Sequence, residues 1–179
     1  MQFQPTPIPG AVVVGLDPIG DDRGFFARAF SREEFEAQGL LADVVHANVS
    51  FNRRRGTVRG FHYQLAPAQE AKLIRCVRGA MHDVVLDLRE TSPTYLQHFA
   101  VELSAENRLA MYVPQGCANA IQTLTDDTEL FYLVSHPYAP QYERGVRHDD
   151  PRLGIEWPLP VSEISAKDQG WPLLGDAPQ

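Results

Sequence analysis

The chain is poor in cysteine and in long apolar runs. Its two cysteines, Cys76 and Cys117, cannot build a disulfide framework, so we expect two small buried side chains in a reducing compartment. No apolar run approaches the ~20 residues that a membrane-spanning helix needs. The opening residues, MQFQPTPIPG, have neither the positive start nor the apolar core of a secretion signal. These absences predict a cytoplasmic protein with no membrane partner.

Positive charge is also scarce. The 16 Lys and Arg residues are outnumbered by 23 Asp and Glu, which gives a formal net charge of −7. A general nucleic-acid binder would normally carry a basic surface, so no nucleic-acid partner is expected. Any anionic ligand must therefore be held by a local cluster of cations. A hydrophobic fraction of 44% and a length of 179 residues predict a single domain that spans residues 1–179.

The middle of the chain is divided into short segments rich in β-forming residues. They recur about every ten residues, and no long helical period interrupts them. This spacing favours an antiparallel sandwich or barrel over a parallel α/β sheet. A double sheet of this size is typical of a jelly roll. The predicted strands lie in 44–51, 57–65, 72–77, 81–88, 97–103, 108–113, 119–124 and 129–135.

Local signals mark the two ends of the chain. The run 11–15 (AVVVG) predicts a strand, and the sequence 21–24 (DDRG) predicts a turn. A capping box at 31–34 (SREE) predicts a short helix over 32–38. After Pro137 the chain is rich in proline, and we expect an irregular segment, about 137–179, that packs on the barrel. A helical turn is expected near 162–169.

The stretch Gly56–Gly79 concentrates polar residues that could form a site. It contains Arg59, His62, Gln64, Glu70 and Lys72. Arg59 and His62 are three residues apart, so in a regular strand they point to opposite faces. Only a bend or bulge near Gly60 would let both reach one pocket, and glycine in a strand often marks such a place.

A metal site is disfavoured by the residues at the expected ligand positions. Metal-binding jelly rolls usually offer two His one residue apart, a Glu, and a third His after a Pro-x-Gly turn. Here Gln64 follows His62 at that spacing, and Asn119 follows the Pro114–Gly116 turn. Neutral amides are poor ligands for zinc or iron. We therefore predict no metal.

Without a metal, His62 could act as a general base. A neutral imidazole can remove a proton α to a ketone if the enolate oxygen meets a positive group, for which Lys72 is a candidate. A His in this role usually needs a carboxylate that fixes its tautomer. Asp83, Asp87 and Asp168 are the candidates, and the residues themselves do not choose among them.

A phenol on a strand across the barrel could complete such a site. Tyr132 or Tyr112 could return a proton to the opposite face of the carbon from which His62 removes one. Removal on one face and delivery on the other inverts the carbon, so this set of residues predicts an epimerase.

Ten short motifs occur in the order typical of one enzyme family, and they cover nearly the whole chain. They are DRGFF (22–26), NVS (48–50), RGFHYQ (59–64), KL (72–73), SPT (92–94), ELSAEN (102–107), VPQG (113–116), YERG (142–145), GIEWP (154–158) and SAKD (165–168). On these motifs the sequence resembles the dTDP-4-dehydrorhamnose 3,5-epimerase family. The resemblance implies a cupin-type jelly-roll barrel, all-β with a few short helices, and cofactor-independent isomerase activity in deoxysugar biosynthesis.

The resemblance also implies roles for individual residues. His62 matches the general base, Asp168 its carboxylate partner, Tyr132 the general acid, and Lys72 the group that stabilises the enolate oxygen at C4. Arg23, Arg59 and Lys167 match positions that bind the diphosphate or the sugar, Tyr138 an aromatic that stacks on the base, and Glu143 a contact to the nucleotide. The other residues expected to bind substrate are Asn48, Gln64 and Asn119.

Four departures from the family pattern fall near the expected substrate. Asn119 stands where the family usually has His, and we expect its amide to donate a hydrogen bond to a sugar oxygen. Arg28 replaces a frequent Glu, His46 a frequent Gln, and His148 the usual Trp. The predicted catalytic residues are intact, so the sugar, the base or the number of inverted carbons could differ.

The implied function is inversion at C3, with or without C5, of a nucleotide-linked 4-keto-6-deoxyhexose of the dTDP-4-keto-6-deoxyglucose type, as in rhamnose biosynthesis. Two alternatives stay open: a 3,4-ketoisomerase on a similar sugar nucleotide, and a cupin that binds a sugar nucleotide without catalysis. The resemblance further implies a homodimer in which N-terminal strands pair between subunits. The run 11–15 could supply such a strand.

Overall fold

The computed structural model describes residues 1–175, which form two antiparallel β-sheets packed face to face and two short helices. The strands are β1 (Gln2–Pro5), β2 (Val12–Gly15), β3 (Ile19–Asp21), β4 (Gly24–Phe26), β5 (His46–Asn52), β6 (Val58–Gln64), β7 (Lys72–Arg78), β8 (Ala80–Asp87), β9 (His98–Ser104), β10 (Ala110–Val113), β11 (Cys117–Thr123), β12 (Thr128–Val134) and β13 (Glu143–Gly145). The helices are α1 (Arg32–Ala37) and α2 (Ala166–Gln169). The all-β jelly-roll prediction is confirmed.

From β5 to β12 the chain passes from one sheet to the other at every step except the β8–β9 hairpin, as in a jelly roll. One sheet has the order β1-β2-β10-β7-β12-β5, the other the order β13-β6-β11-β8-β9, and β3 and β4 form a separate hairpin. Each of the nine strands predicted from the sequence is found. The sequence did not predict β1, β3, β4 or β13, which are only three or four residues long.

The expectation that the run 11–15 supplies the strand that pairs between subunits is wrong. The run 11–15 forms β2, which pairs with β1 on one side and with β10 on the other. Both edges of β2 are therefore used within the chain, and it cannot pair with a partner subunit. The outer strands of that sheet are β1 and β5.

The apolar core lies between the two sheets. Side chains at alternate strand positions meet there because successive residues of a strand face opposite sides. They are Val13, Ile74, Cys76, Met81, Val85, Leu103, Met111, Val113, Cys117, Ile121 and Leu130, and they are joined by Ile8 and Ala11 from the connection between β1 and β2. Both cysteines are buried as predicted, and burial raises the pKa of Cys76 to about 11 and of Cys117 to about 12.

Both outer faces of the sandwich are also covered. Phe35 of α1 packs with Phe3, Phe30 and Tyr112 on the outer face of the six-stranded sheet. On the other sheet, residues of the proline-rich C-terminal segment, including Val146, Leu153 and Trp157, cover Phe61 and its neighbours. This packing agrees with the predicted position of the segment 137–179, of which residues 176–179 lie outside the described part.

Both helices begin at a serine cap. The Ser31 hydroxyl accepts a hydrogen bond from the Glu34 N–H, as the capping box predicts, and the helix ends one residue earlier than expected. The helical turn expected near 162–169 is α2, where the Ser165 hydroxyl accepts a bond from the Asp168 N–H at 3.0 Å. No helix in residues 1–175 has the length and apolar character needed to cross a membrane.

The bulge expected near Gly60 is present. On β11, Asn119 and Ile121 are two residues apart, but their partners on β6, His62 and Arg59, are three residues apart. The extra residue lets Arg59 and His62 line the same cavity. Gly60 has φ +107°, and a Cβ added there would lie 2.5 Å from the backbone oxygen of Asn119. Only glycine fits this position.

We expect Gly60→Ala to lower the free energy of unfolding by about 2–4 kcal/mol, because the substitution combines backbone strain with a clash against a neighbouring strand. Gly24→Ala is the matched control, since Gly24 also has a positive φ but nothing lies within 4 Å of an added Cβ. That variant should lose only about 1 kcal/mol. Urea unfolding measures both values, and equal losses would contradict the close approach at Gly60.

Candidate active site

Polar side chains from both sheets line a cavity between them, next to the apolar core. One part, of about 220 Å³, is lined by Ser50, Arg59, His62, Lys72, Ile74, Asn119, Ile121, Leu130 and Tyr132. A second part, of about 300 Å³, is lined by His46, Asn48, His62, Glu70, Lys72, Tyr132, Val134, Tyr138, Glu143 and Lys167. Both parts share His62, Lys72 and Tyr132. The described cavity therefore brings together nine of the twelve residues predicted for the site.

His62 and Asp168 form a hydrogen-bonded pair at the wall of this cavity. The distance from His62 Nε2 to Asp168 Oδ1 is 2.7 Å, and Asp168 Oδ2 accepts the Gly60 N–H at 3.2 Å. Asp168 is only 3% exposed. Burial by itself would raise the pKa of Asp168, but the hydrogen bonds and the charge of His62 outweigh it and hold the pKa below its usual value.

The other two candidate carboxylates are bonded elsewhere. Asp87 accepts hydrogen bonds from Arg89, Ser92 and Thr94 at the far end of β8. Asp83 accepts one from Asn119. Asp168 is therefore the carboxylate that contacts His62, which the residue pattern had left open and the family resemblance had chosen.

Lys72 is held close to His62 by two contacts. Its Nζ lies 3.1 Å from Glu70 Oε1 and 3.4 Å from the backbone oxygen of His62. Lys72 and Glu70 are both largely buried. The ion pair fixes a positive charge on the wall of the cavity that His62 also lines. Glu70 was noted in the sequence but not included among the site residues, although its position two residues before Lys72 was a signal for it.

Tyr132, rather than Tyr112, faces the cavity. Burial and then the negative charge of Glu70 raise the pKa of Tyr132, so its phenol keeps its proton at neutral pH. Tyr112 packs against Phe35 on the outer face of the sheet, where its hydroxyl exchanges hydrogen bonds with the backbone of Leu41. Tyr112 is therefore excluded from the site.

Three residues form a polar, partly aromatic surface at the mouth of the cavity. Tyr138 is exposed, and its hydroxyl donates to Glu143 Oε2 at 2.7 Å. Glu143 also pairs with Lys167, whose Nζ lies 6.0 Å from the centre of the Tyr138 ring. An open ring beside a cation suits a flat base attached to a phosphate.

Arg59 joins this cavity to a wider groove. Its Nε donates to Asn52 Oδ1, and its guanidinium lines both spaces. The groove has a volume of about 890 Å³, and it also contains Asp168 and His148. Of the four departures from the family pattern, Asn119 and His46 line the cavity and His148 lines the groove, whereas Arg28 lines none of these spaces.

Two predicted substrate-binding residues lie outside the cavity lining. Gln64 is buried beneath the cavity, where its amide donates to the backbone of Ala68 and Pro137 and accepts from the Ala139 N–H. All its polar atoms are used by the protein, so Gln64 positions the wall and does not face a ligand. Arg23 lies in the β3–β4 turn with its side chain 90% exposed, away from the cavity of its own chain.

The donor set does not suggest a metal centre. Among residues 1–175, no three His, Cys, Asp or Glu side chains come together as a group that could hold a metal ion. The prediction that the protein needs no metal is left for experiment.

The comparisons with known proteins agree with this geometry. The family model described as dTDP-4-dehydrorhamnose 3,5-epimerase matches residues 5–176. A protein of that name from Sinorhizobium fredii is 39% identical over 99% of this chain and 92% of its own length. The chain belongs to the dTDP-4-dehydrorhamnose 3,5-epimerase family. It is therefore an epimerase of the isomerase class, and the resemblance read from the ten motifs is confirmed.

Solved structures of the family share the whole fold. A dTDP-4-dehydrorhamnose 3,5-epimerase from Elizabethkingia anophelis superposes with a TM-score of 0.95 at 34% identity, covering 98% of this chain and 97% of that one. A 3′-monoepimerase from Streptomyces bikiniensis, in complex with dTDP-quinovose, gives a TM-score of 0.88 at 39% identity and covers 97% and 88%. The family thus includes enzymes named for one and for two inverted centres.

The burial of Asp83 leads to a prediction about how stability depends on pH. Burial raises its pKa from 3.8 to about 7, so the folded protein holds the proton more tightly than the unfolded chain. The tighter binding of this proton stabilises the folded protein fully below pH ~4, and the stabilisation is lost as the pH rises towards 7. We expect Asp83→Asn to gain stability relative to the wild type over that range. Urea unfolding at several pH values measures the difference, and a difference that does not change with pH would contradict the shift.

Proposed function

We propose that this epimerase inverts C3, with or without C5, of a dTDP-linked 4-keto-6-deoxyhexose in the biosynthesis of a deoxysugar such as rhamnose. The observation that carries the proposal is the His62–Asp168 pair, 2.7 Å long, on a cavity that also contains Lys72 and Tyr132. A base, an oriented carboxylate, a cation and a phenol are the groups that an enolate mechanism needs.

His62 acts as the base through Nδ1. A carboxylate only accepts hydrogen bonds, so Nε2 carries the proton that bonds Asp168 and Nδ1 keeps its lone pair. Nδ1 removes the proton from a carbon next to the ketone. Asp168 stabilises the imidazolium that forms, because its buried carboxylate faces the new charge.

Lys72 and Tyr132 complete the inversion. The electron pair left on the carbon moves to the ketone oxygen, where the ammonium of Lys72 stabilises the enolate. Tyr132 then donates its phenolic proton to the opposite face of the carbon, and the ketone reforms. The tyrosinate regains a proton from water, and His62 releases the one that it took.

The nucleotide end of the substrate is assigned to the mouth of the cavity. Tyr138 would stack on the base, Glu143 would contact the nucleotide, and Lys167 and Arg59 would face the diphosphate. The complex of the Streptomyces bikiniensis relative with dTDP-quinovose supports dTDP as the nucleotide. A relative named for one inverted centre is 37% identical to this chain, and relatives named for two are 36% to 42% identical, so similarity favours neither outcome.

We expect this protein to exchange deuterium from D₂O into dTDP-4-keto-6-deoxyglucose at C3, with or without C5. His62→Asn and Asp168→Asn should each slow exchange by about 10²–10⁴-fold, because the first removes the base and the second its orientation. Tyr132→Phe should slow inversion more than exchange, because the base is intact. Proton NMR followed carbon by carbon measures each rate.

The controls for this experiment are matched substitutions outside the cavity. His98→Asn and Tyr95→Phe alter exposed residues and should leave exchange unchanged. A His62→Asn variant that keeps more than a few per cent of the wild-type rate would exclude the mechanism. A product with its carbonyl moved from C4 to C3 would identify a ketoisomerase, and binding without exchange at any carbon would identify a non-catalytic protein.

The proposal includes a homodimer that completes the site. The hairpin of β3 and β4 exposes Ile19, Phe25 and Phe26 together with Arg23. Strand β5 is an outer strand, so its unpaired edge can accept a strand from a second subunit. Asn48 of the cavity lies on β5. Pairing of the hairpin with that edge would bring Arg23 to the site of the other subunit.

Mixed dimers test whether Arg23 acts on the site of the other subunit. Arg23→Ala should weaken substrate binding, and His62→Asn should abolish turnover. A dimer of one subunit of each kind then contains one site with both residues intact, and it should recover about half the wild-type rate at low substrate concentration. No recovery, or a monomer by light scattering, would refute the arrangement.

A further inference from the structure

Asn119 lies directly across from His62 in the sheet. The two residues are partners in the pairing of β11 with β6, so their side chains leave the same face of neighbouring strands. Opposite Cβ atoms in an antiparallel pair are about 5 Å apart. Asn119 is 9% exposed and lines the cavity beside His62. The polar atom of Asn119 that is free for a ligand therefore lies close to the reacting carbon.

The hydrogen bonds of Asn119 determine whether its amide nitrogen or its amide oxygen is free for a ligand. Its Nδ2 donates to Asp83 Oδ1 at 2.9 Å and to the backbone oxygen of Val84 at 3.1 Å. A side-chain amide has two N–H groups, and both are used. A backbone carbonyl can only accept, so the amide cannot be turned over without breaking that bond. The expectation that Asn119 donates to the substrate is therefore wrong.

The oxygen Oδ1 is left for a ligand. No residue in the described part of the chain donates a hydrogen bond to it, and Asn119 borders the cavity. An acceptor in this place selects a ligand with a hydroxyl donor. A 4-keto-6-deoxyhexose carries hydroxyls at C2 and C3 only, since C4 is a ketone, C5 carries a methyl group and C1 is bonded to the diphosphate.

Asp83 holds this arrangement in place. It is 1% exposed, and it lies on the strand next to Asn119, diagonally across the pair of β8 with β11. Its Oδ1 accepts from Asn119, whereas its Oδ2 is buried without a partner in residues 1–175. A buried carboxyl with one hydrogen bond depends strongly on that bond, so Asp83 resists rotation of the amide.

We propose that Asn119 selects the sugar by accepting a hydrogen bond from its C2 or C3 hydroxyl through Oδ1, and that Asp83 is the positioning residue that fixes the amide. The inference rests on the proposed function for the identity of the sugar nucleotide. It adds a determinant of specificity that does not take part in proton transfer.

Binding of unreactive sugar nucleotides tests the proposal without turnover. The ligands are dTDP-6-deoxyglucose, its 2-deoxy and 3-deoxy analogues, and dTDP alone, each measured by calorimetry. The wild type should bind one of the two deoxy analogues about 10–100-fold more weakly than the parent sugar, because the acceptor loses its donor. Asn119→Leu should bind all three sugars within about 2-fold of one another and bind dTDP as the wild type does.

Variants of Asp83 separate its hydrogen bond from its charge. Asp83→Asn keeps an acceptor for the Asn119 amide, so the discrimination should remain. Asp83→Leu removes that acceptor and should reduce it. If Asn119→Leu does not fold, the double variant with Asp83→Leu replaces both partners with apolar groups and leaves no orphaned carboxyl.

The outcomes distinguish this inference from the catalytic proposal. The inference would be overturned if Asn119→Leu still bound one deoxy analogue more weakly than the parent sugar, or if the wild type bound all three sugars equally well. Either result would count even if exchange at C3 is normal. Selective binding without exchange would support it and overturn catalysis. Equal loss of affinity for dTDP and for all the sugars in Asn119→Leu would reveal only a structural role. A wild type that binds none of these nucleotides would overturn both.

Discussion

The bond between Asp168 and His62 is the contact on which the rest of the site depends. It joins two residues 106 positions apart, and the second oxygen of Asp168 accepts the N–H of Gly60 at the bulge. The C-terminal segment must therefore return to the edge of β6. It does so through β13, which pairs with the end of β6, and through Glu163, whose backbone oxygen accepts the N–H of Val58 at its start. Asp168 of α2 bonds to Gly60, which lies between these two contacts along β6.

The covering of both sheets explains how a polar cavity can exist inside a small sandwich. Helix α1 covers the outer face of the six-stranded sheet, and the C-terminal segment covers that of the five-stranded sheet. Strands β8 and β11 of the five-stranded sheet are therefore buried on both faces over most of their length. Stability then comes from three apolar layers rather than one. The end of the inner layer can therefore hold Lys72, Glu70 and His62. Their burial costs free energy, which is offset because Lys72 pairs with Glu70 and His62 pairs with Asp168.

The division of labour within the cavity follows from which polar atoms are already used. Lys72 and Tyr132 keep atoms free for a ligand, whereas both polar atoms of the Gln64 amide are bonded within the protein, to backbone groups and to the Glu70 carboxylate. Asn119 is intermediate, because its nitrogen is used and its oxygen is not. Residues that share a motif can thus have different roles, and the hydrogen-bond partners decide between them.

The sequence by itself determined the strands from β5 to β12, the capped helix α1, the need for a bulge at Gly60 and, through its motifs, the family. These features depend on local preference and on side-chain alternation, which neighbouring residues carry. Only the tertiary structure showed which carboxylate contacts His62, namely Asp168, and that Asp83 is instead bonded to Asn119. It also showed that Gln64 and Arg23 lie outside the cavity of their own chain. Those outcomes depend on pairings between distant segments, and spacing along the chain does not encode which distant atoms meet.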